Sequence, residues 1–305
     1  MNSGFAVGVD AGGFSTVAAF SEDGVYRASA TGGPANVTTA TPEAAADTIA
    51  SVVSTLARVE QVRALFVGAA GAGRPEMRTK LEAELLVRFD RALVSVVDDI
   101  TIAFRAAIPK GDGIVLVAGT GSVAYAEHGE RRIRVGGLGH VLGDEGSGFW
   151  IGWQAVRLLA RVLDSRATAD ETTDLAARTL AVETRERLVA LVYDAPLDVA
   201  RIAAMAPAVV AFAGKGNRRA TKIVQNAAQE LGDLVVSAAR QADLVERDPH
   251  IGLAGGLFRE NTLLSYLLQA RLQAEFPLAL VARAQEPPAR AALRFAEAML
   301  PEAEP

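Results

Sequence analysis

The sequence predicts an α/β protein made of two halves with the same order of elements. Each half opens with short apolar segments separated by glycine-containing turns, a pattern typical of an antiparallel meander. Each half then changes to helical segments that alternate with single apolar strands, which indicates parallel crossovers. The 305 residues suffice for about two domains of ordinary size. We therefore expect two α/β domains that repeat one topology.

The first half begins with a meander whose turns contain Gly12, Gly13 and Gly24. Pro42 marks the start of the first helix, because its fixed φ angle suits the first helical position. In chain order, we expect strands at 5–10, 16–20, 25–30, 64–69 and 93–97, and helices at 42–59, 75–88 and 100–108. This half therefore has the order βββαβαβα.

The segment from Pro109 to Gly113 combines proline, glycine and charged residues, and it is the best candidate for a domain boundary. A second meander is expected at 114–118, 122–126 and 132–135, followed by a glycine-rich loop at 136–148 and a helical region at 149–242. Strands at 250–254 and 278–281 then alternate with helices at 260–274 and 288–299. The second half thus repeats the start of the first.

Composition excludes several classes of function. The net charge of −5 argues against non-specific binding of nucleic acid or of an anionic membrane. The chain has no cysteine, which excludes disulfides, thiolate catalysis, zinc–thiolate sites and cysteine-ligated iron–sulfur clusters. The N-terminus has no basic segment, and the apolar runs fall far short of the roughly 18 residues of a membrane span. We expect a cytoplasmic protein.

Two glycine-containing turns are candidates for binding phosphate. Asp10-Ala11-Gly12-Gly13 follows the first strand, where glycines let a phosphate approach the backbone and a carboxylate can hold hydrated Mg²⁺. Gly119-Thr120-Gly121-Ser122 forms a second such turn. A dinucleotide-binding fingerprint is rejected there, because a strand and not a helix follows, and no Walker-type motif occurs. The alternative for the first turn is an ordinary β-turn.

Two further segments contain carboxylates. Asp98 and Asp99 end a strand and open a helix, so they are either helix caps or the source of a general base. The segment from Gly136 to Trp150 contains six glycines and an Asp-Glu pair, and it leads into a helix that begins with the aromatic residues Phe149 and Trp150. A merely flexible linker would not have this composition, and this is the most specific segment in the chain.

The chain resembles the BadF/BadG/BcrA/BcrD-type ATPase family, and within it the N-acetylglucosamine kinase-like branch. The resemblance rests on five segments, namely 8–13, 97–99, 118–122, 139–152 and 253–257. It implies two ribonuclease-H-like domains of the actin/hexokinase type, at 1–109 and 110–287, with an ATP/sugar cleft between them. It also implies that the helix at 288–299 packs back on the first domain.

The resemblance implies ATP-dependent phosphorylation of an amino sugar, N-acetylglucosamine or glucosamine, at its 6-hydroxyl. The cofactors would be ATP and Mg²⁺, and a homodimer is common among such kinases. Asp99 would be the general base and Asp10 the residue that positions Mg²⁺. Residues facing the nucleotide would be Gly12, Gly13, Ser15, Gly119, Thr120, Gly121, Gly255 and Gly256. Residues contacting the sugar would be Asn36, Gly137 and Asp144.

The chain departs from the family pattern at three positions. Phe14 stands where the first phosphate loop usually has threonine, although Ser15 and Thr16 follow it. Leu138 and Ala70 stand where related kinases have tryptophan and serine. The alternatives are therefore a kinase for another hexosamine, such as N-acetylmuramate, and a non-catalytic sensor of sugar or nucleotide. An iron–sulfur activator of a dehydratase is excluded by the absence of cysteine.

Overall fold

The computed structural model describes residues 4–301. The chain divides into two compact units, with boundaries between Lys110 and Gly111 and between Arg283 and Ala284. The first unit therefore contains both the start and the end of the described chain, and the second is the continuous segment Gly111–Arg283. Each unit contains one five-stranded sheet.

The strands are β1 (Phe5–Ala11), β2 (Thr16–Glu22), β3 (Val25–Gly32), β4 (Val62–Ala69), β5 (Leu93–Asp98), β6 (Gly113–Ala118), β7 (Ser122–His128), β8 (Arg131–Gly136), β9 (Ile251–Ala254) and β10 (Val281–Arg283). The helices are α1 (Pro42–Ser54), α2 (Pro75–Arg88), α3 (Asp99–Ala107), α4 (Gly148–Leu163), α5 (Glu171–Leu180), α6 (Arg185–Tyr193), α7 (Val199–Ala203), α8 (Ala206–Gly214), α9 (Arg218–Gln241), α10 (Leu263–Glu275) and α11 (Pro288–Met299).

The two sheets have the same kind of topology. In the first unit the order is β3-β2-β1-β4-β5, with an antiparallel meander from β1 to β3 and parallel pairing of β4 with β1 and β5. In the second unit the order is β10-β9-β6-β7-β8, with a meander from β6 to β8 and parallel pairing of β9 with β6 and β10. The predicted meanders and parallel crossovers are confirmed.

Strand β1 is buried on both faces because helices cover the two sides of its sheet. Val7 and Val9 belong to the core formed with α1 and α2, and Ala6 belongs to the smaller core formed with α11. This alternation follows from the two-residue period of a strand. Gly8 allows α11 to pack directly on the strand, because a Cβ at this position would lie 2.0 Å from the amide nitrogen of Leu293.

The core of the second unit is organised around α9. This helix has 24 residues and packs against β6, β7 and β8, as well as against α4, α8 and α10. Its buried side is rich in small residues, including Ala220, Ala227 and Ala228, which permit close packing of neighbouring elements. Ile114 and Leu116 of β6 complete the same core.

Three predicted elements are wrong in their bounds by three residues or more. Helix α10 begins at Leu263 and not at 260, because Thr262 caps its first turn by accepting from the amide of Ser265. Helix α1 ends at Ser54 and not near Val59, because Thr55 closes the last turn with both its amide and its hydroxyl on the carbonyl of Val52. The last strand is Val281–Arg283 and not 278–281, because pairing with β9 begins at Val281.

Among residues 4–301 no single helix is long and apolar enough to span a membrane. The segments Val199–Gly214 and Arg218–Gln241 are long and apolar enough only when they are taken together, and the chain bends by 113° between them.

Candidate active site

The parallel strands of the first unit end side by side, and their carboxyl ends contain the predicted acidic residues. Strand pairing aligns Ala11 of β1 with Ala69 of β4, and Ala69 with Asp98 of β5. Asp10 and Asp98 are therefore two strand spacings apart, roughly 10 Å. The carboxyl edge of a parallel sheet is where ligands of α/β proteins commonly bind, so these residues share a suitable position.

The predicted phosphate turn of the first unit is held by backbone hydrogen bonds. The amide of Gly12 donates to the carbonyl of Ser15 at 2.9 Å, and the carbonyl of Gly12 accepts from Ala35 at 3.1 Å. Gly13, Phe14 and Ser15 are exposed at this turn. The ring of Phe14 is 57% exposed, so no apolar packing holds it in the core.

Asn36 lies beside the same turn. A Cβ on Gly13 would be 3.5 Å from Nδ2 of Asn36. The amide of Val37 donates to the carbonyl of Ala70, which joins this segment to the end of β4. Oδ1 of Asn36 accepts from the amide of Thr38 at 2.7 Å, which orients the side chain and leaves Nδ2 beside Gly13. The structure thus brings Asn36 to the predicted turn.

Asp98 and Asp99 differ in position although they are neighbours in the sequence. Asp99 is the first residue of α3, and Asp98 occupies the cap position without a capping hydrogen bond from its side chain. The Asp98 carboxylate lies instead against the loop after β4, where a Cβ on Gly73 would be 2.9 Å from its Oδ2. Gly73 is a residue of this site that sequence reasoning missed, although its Gly-Ala-Gly setting after a buried strand is a usable signal.

The environment of Asp10 is suited to a cation. Burial raises the pKa of this carboxyl from its ordinary 3.8 to about 6, and no neighbouring charge or donor in the described residues offsets the effect. A strand-end carboxylate of this kind fits Mg²⁺, which binds proteins through one or two carboxylates and fills its other positions with water and substrate phosphates. A cation beside Asp10 would restore the ionised form that burial disfavours.

The predicted phosphate turn of the second unit is braced by the start of α4. The turn closes with the amide of Gly119 on the carbonyl of Gly121 at 2.9 Å. The carbonyls of Gly119 and Thr120 then accept from the amides of Gly148 and Phe149 at 2.8 and 3.1 Å. The first amides of α4 therefore hold the turn in place through the carbonyl groups of Gly119 and Thr120.

The carboxylate of Asp144 lies against this turn. Its Oδ1 accepts from the amide of Ser122 at 3.3 Å, and a Cβ on Gly121 would lie 2.8 Å from its Oδ2. Asp144 adopts a left-handed backbone conformation with φ of 60°. Desolvation raises its pKa, and the amide of Ser122 opposes that shift in part. Gly121 is thus required by close approach of a charged group.

Ser122, the last residue of the predicted second turn, has its hydroxyl turned to the glycine-rich loop. Its hydroxyl is buried and donates to the carbonyl of Glu145 at 2.7 Å, which ties the glycine-rich loop to β7. Its carbonyl accepts from the amide of Gly137 at 2.8 Å, so that predicted residue also lies next to β7. The apolar tip of the loop, with Leu138, Val141 and Leu142, is exposed.

The predicted glycine pair at the end of β9 lies beside the second turn. Gly255 has φ of 98°, and a Cβ there would be 2.3 Å from the carbonyl oxygen of Ala118. Gly256 is exposed to solvent. A Cβ on Gly119 would lie 3.9 Å from the amide nitrogen of Gly256, so the two glycines are close together. The second unit therefore gathers its predicted residues at one edge of its sheet.

Comparisons with known proteins agree with this architecture. The chain is 27% identical over 280 residues to an N-acetylmuramic acid/N-acetylglucosamine kinase of Clostridium acetobutylicum, covering 90% of this chain and 92% of that protein. The structure of a candidate N-acetylglucosamine kinase from Chromobacterium violaceum superposes with a TM-score of 0.77 at 24% identity, covering 96% of this chain and 99% of that one.

A glucokinase of the ROK family from Streptomyces griseus, solved with glucose and AMPPNP, superposes with a TM-score of 0.61 at 19% identity over 97% of this chain and all of that one. These similarities confirm the two-domain, hexokinase-like fold class. The family model for BadF/BadG/BcrA/BcrD ATPases matches residues 7–281. The chain therefore belongs to the BadF/BadG/BcrA/BcrD ATPase family.

Proposed function

We propose that this protein transfers the terminal phosphoryl group of ATP to the 6-hydroxyl of an amino sugar, N-acetylglucosamine or glucosamine. The observation that carries the proposal is the pair of carboxylates, Asp10 and Asp99, at the carboxyl ends of the parallel strands β1 and β5 in one sheet. Phosphoryl transfer needs positioning, charge stabilisation and one base, and little covalent help from the protein. The near full-length similarity to an N-acetylmuramic acid/N-acetylglucosamine kinase supports this class of acceptor.

The first unit is proposed to supply the base, one sugar contact and a turn that faces the terminal phosphates. Asp99 is the proposed base, since it opens α3 at the end of β5 while the neighbouring Asp98 is turned against Gly73. Asn36 is the proposed sugar contact, because Thr38 orients its amide and leaves Nδ2 as a donor. Ser15 and the backbone of Gly12 and Gly13 are proposed to face the terminal phosphates.

The second unit is proposed to supply most of the groups for the nucleotide and two further sugar contacts. We assign the β- and γ-phosphates to the turn of Gly119, Thr120 and Gly121, whose conformation α4 fixes. The adenosine would lie against Gly255 and Gly256, because these residues have no side chains to block it next to this turn. Gly137 and Asp144 are the proposed sugar contacts of this unit. The raised pKa of Asp144 reflects the desolvation of a carboxylate that a sugar hydroxyl would compensate.

Asp10 is the proposed residue for Mg²⁺, held through water. When bound there, Mg²⁺ would neutralise charge on the phosphate oxygens. In the transfer, the hydroxyl oxygen of the sugar forms a bond to the γ-phosphorus as the bond to the bridging oxygen breaks. The bridging oxygen leaves with the electron pair as ADP, and the carboxylate of Asp99 accepts the proton of the hydroxyl.

The proposal is tested by ADP release from ATP and Mg²⁺ over a panel of free sugars. N-acetylglucosamine, glucosamine and N-acetylmuramic acid are compared with glucose, and the phosphorylated position of the product is read by NMR. We expect ADP release with N-acetylglucosamine or glucosamine and a 6-phosphate product. ADP release with N-acetylmuramic acid alone would favour the alternative of a kinase for that hexosamine, since a relative of this chain is named for that sugar. Binding of sugar or nucleotide without release from any of them would establish the sensor alternative.

A further inference from the structure

A cavity of about 530 Å³ lies in the second unit between α4 and α9. This volume is within the range of roughly 300–1,000 Å³ that small-molecule sites occupy. The cavity is lined by one face of each helix and by Arg166, which follows α4. We call it the α4–α9 groove. None of the residues proposed above for sugar or nucleotide lines it.

The two helical walls of the groove have the same spacing. One wall is Gln154, Arg157, Leu158 and Arg161, with Ala160 beside them, and the other is Arg219, Lys222, Ile223 and Asn226. Residues at intervals of three, four and seven share one face of a helix, so each wall is a continuous stripe. Each stripe contains two cations, one large aliphatic residue and one amide, and the α4 wall also contains the small Ala160.

The groove has an excess of positive charge that the described chain does not neutralise. No carboxylate lines it. Arg166 pairs with Asp164 at 2.7 Å, and Arg219 lies 3.7 Å from Asp170. Neither of these carboxylates lines the groove. The other three cations of the lining form no ion pair with any residue between 4 and 301; they are Arg157, Arg161 and Lys222.

This concentration of cations is not explained by general basicity or by helix stability. The whole chain has a net charge of −5. Arg157 and Arg161 are four residues apart on one helix, and like charges at that spacing destabilise a helix by about 0.2–0.5 kcal/mol per pair. Lys222 on the opposite wall adds a third like charge. A bound anion would relieve this repulsion.

The groove is polarised along its length because the two helices run in opposite directions. Gly146, before the start of α4, packs against Ala227 and Leu231 of α9. At the other end, Arg219 donates to the carbonyl of Thr168, which follows α4. Arg161, Arg166 and Arg219 therefore gather at one end, and Gln154 and Asn226 lie at the other. The aliphatic residues Leu158 and Ile223 lie between the two ends.

We propose that the α4–α9 groove binds a small phosphate monoester with a hydroxyl-bearing body of sugar size. Guanidinium groups match a phosphate in planar, bidentate geometry, so the arginine end would hold the phosphoryl group. The two amides at the other end offer both donors and acceptors for hydroxyl groups, and the aliphatic residues offer an apolar floor. The proposal concerns a second site and does not depend on the proposed function.

The groove is separate from the phosphate turn of the same unit. That turn is braced by Gly148 at the first position of α4. With a rise of 1.5 Å per residue, Arg157 lies about 14 Å and Arg161 about 20 Å along the helix from that position. Occupancy of the two sites by separate ligands is therefore expected.

The test is calorimetric titration of the full chain with ribose 5-phosphate, in the presence of saturating AMPPNP and Mg²⁺. Inorganic phosphate and free ribose are titrated in parallel. We expect ribose 5-phosphate to bind more tightly than phosphate, and ribose not to bind. The variant Arg157→Gln/Arg161→Gln should weaken ribose 5-phosphate binding at least tenfold. The matched control Arg218→Gln/Arg240→Gln removes the same charge from exposed positions of α9 outside the groove and should leave it unchanged.

Three outcomes would overturn the proposal. The first is that neither phosphate nor ribose 5-phosphate binds the unmodified chain. The second is that the groove variant and the control weaken binding equally, which would indicate only a general charge effect. The third is that AMPPNP abolishes ribose 5-phosphate binding while the groove variant loses AMPPNP affinity, which would make the groove part of the nucleotide site. None of these readouts requires turnover, so failure of the proposed kinase activity is recognised separately.

Discussion

Two neighbouring aspartates at the start of α3 provide the sharpest prediction at the scale of single residues. Asp99→Asn keeps the shape of the side chain but cannot accept a proton. We expect turnover to fall by about 10²–10⁴-fold, the usual contribution of a general base, with ATP binding and folding kept. Asp98→Asn should be much milder, because its carboxylate faces Gly73. Steady-state kinetics of both variants check this.

The paired variants also expose errors in the assignment. Loss of turnover in Asp98→Asn alone would mean that the base is the preceding residue. Full activity in both variants would contradict an aspartate base at this strand end, and a sensor without catalysis would then gain support.

Gly121 provides a second prediction, since it touches a charged group. In Gly121→Ala the added methyl would lie 2.8 Å from Oδ2 of Asp144, so either the turn or the carboxylate must move. We expect at least a tenfold loss of AMPPNP affinity by calorimetry. Gly214→Ala is the matched control, because a Cβ there meets nothing within 4 Å. Equal affinities in both variants would remove Gly121 from the nucleotide site.

Asp10 links function to stability. Because burial raises its pKa to about 6, the folded state binds the proton more tightly than the unfolded state, whose value is near 3.8. Its contribution to stability is therefore complete below pH 3.8 and is lost as the pH rises through about 6. At pH 8 without metal, Asp10→Asn should raise the free energy of unfolding by about 1–3 kcal/mol.

This gain should shrink to about half by pH 5, as the native carboxyl takes up its proton. Urea unfolding in EDTA at both pH values measures it, with the exposed Asp90→Asn as control. A gain that does not change between pH 8 and pH 5 would show that burial of the charge is not its cause.

At the scale of elements, the contact between β1 and α11 is the most sensitive to change. Gly8→Ala would place a methyl 2.0 Å from the backbone of Leu293, and neither backbone can move without disturbing the sheet. We expect a loss of at least about 1–3 kcal/mol in the free energy of unfolding, the usual cost of overpacking. Gly33→Ala has open space around its Cβ and is the control in urea unfolding. Similar stability of the two variants would contradict the close packing.

The observed helix bounds show which local sequence signals are enough to predict where a helix begins or ends. The expected bounds of α2 and α11, 75–88 and 288–299, are confirmed. Proline at the first position fixes the start of each helix. The predicted end of α1 is too late, because a hydroxyl from Thr55 closes the helix where the apolar pattern continues. The predicted position of β10 is displaced because its register depends on β9, which is distant in sequence.

At the scale of the whole molecule, the first unit is discontinuous in sequence. Its sheet precedes Lys110, yet α11 covers Ala6, Ala19 and Ala64 from the far end of the chain. A chain ending at Arg283 should therefore expose this apolar face. We expect proteases to cleave residues 4–110 faster in that truncation, while Gly111–Arg283 remains resistant. A chain ending at Leu300, which keeps α11, is the control, and equal cleavage rates would contradict the dependence on α11.

Local sequence patterns are enough to predict which segments are helices or strands, where the two glycine turns lie and which strands end in acidic residues. These are local properties, because strand and helix periods, turn residues and caps depend on a few adjacent positions. The family resemblance uses the same local segments, and the family model bears it out. Asp10, Asp99 and the turn at Gly119–Gly121 can therefore be named as candidates from adjacent residues alone.

Tertiary packing determines which of these residues meet and what surrounds them. Gly73 lies against Asp98, and Ser122 donates to Asp144, across separations that no local pattern encodes. The α4–α9 groove is the clearest case, since each of its stripes alone resembles an ordinary charged helix face. Only the antiparallel packing of two helices far apart in the sequence turns those faces toward one cavity, because burial of their opposite sides in a common core fixes their orientation.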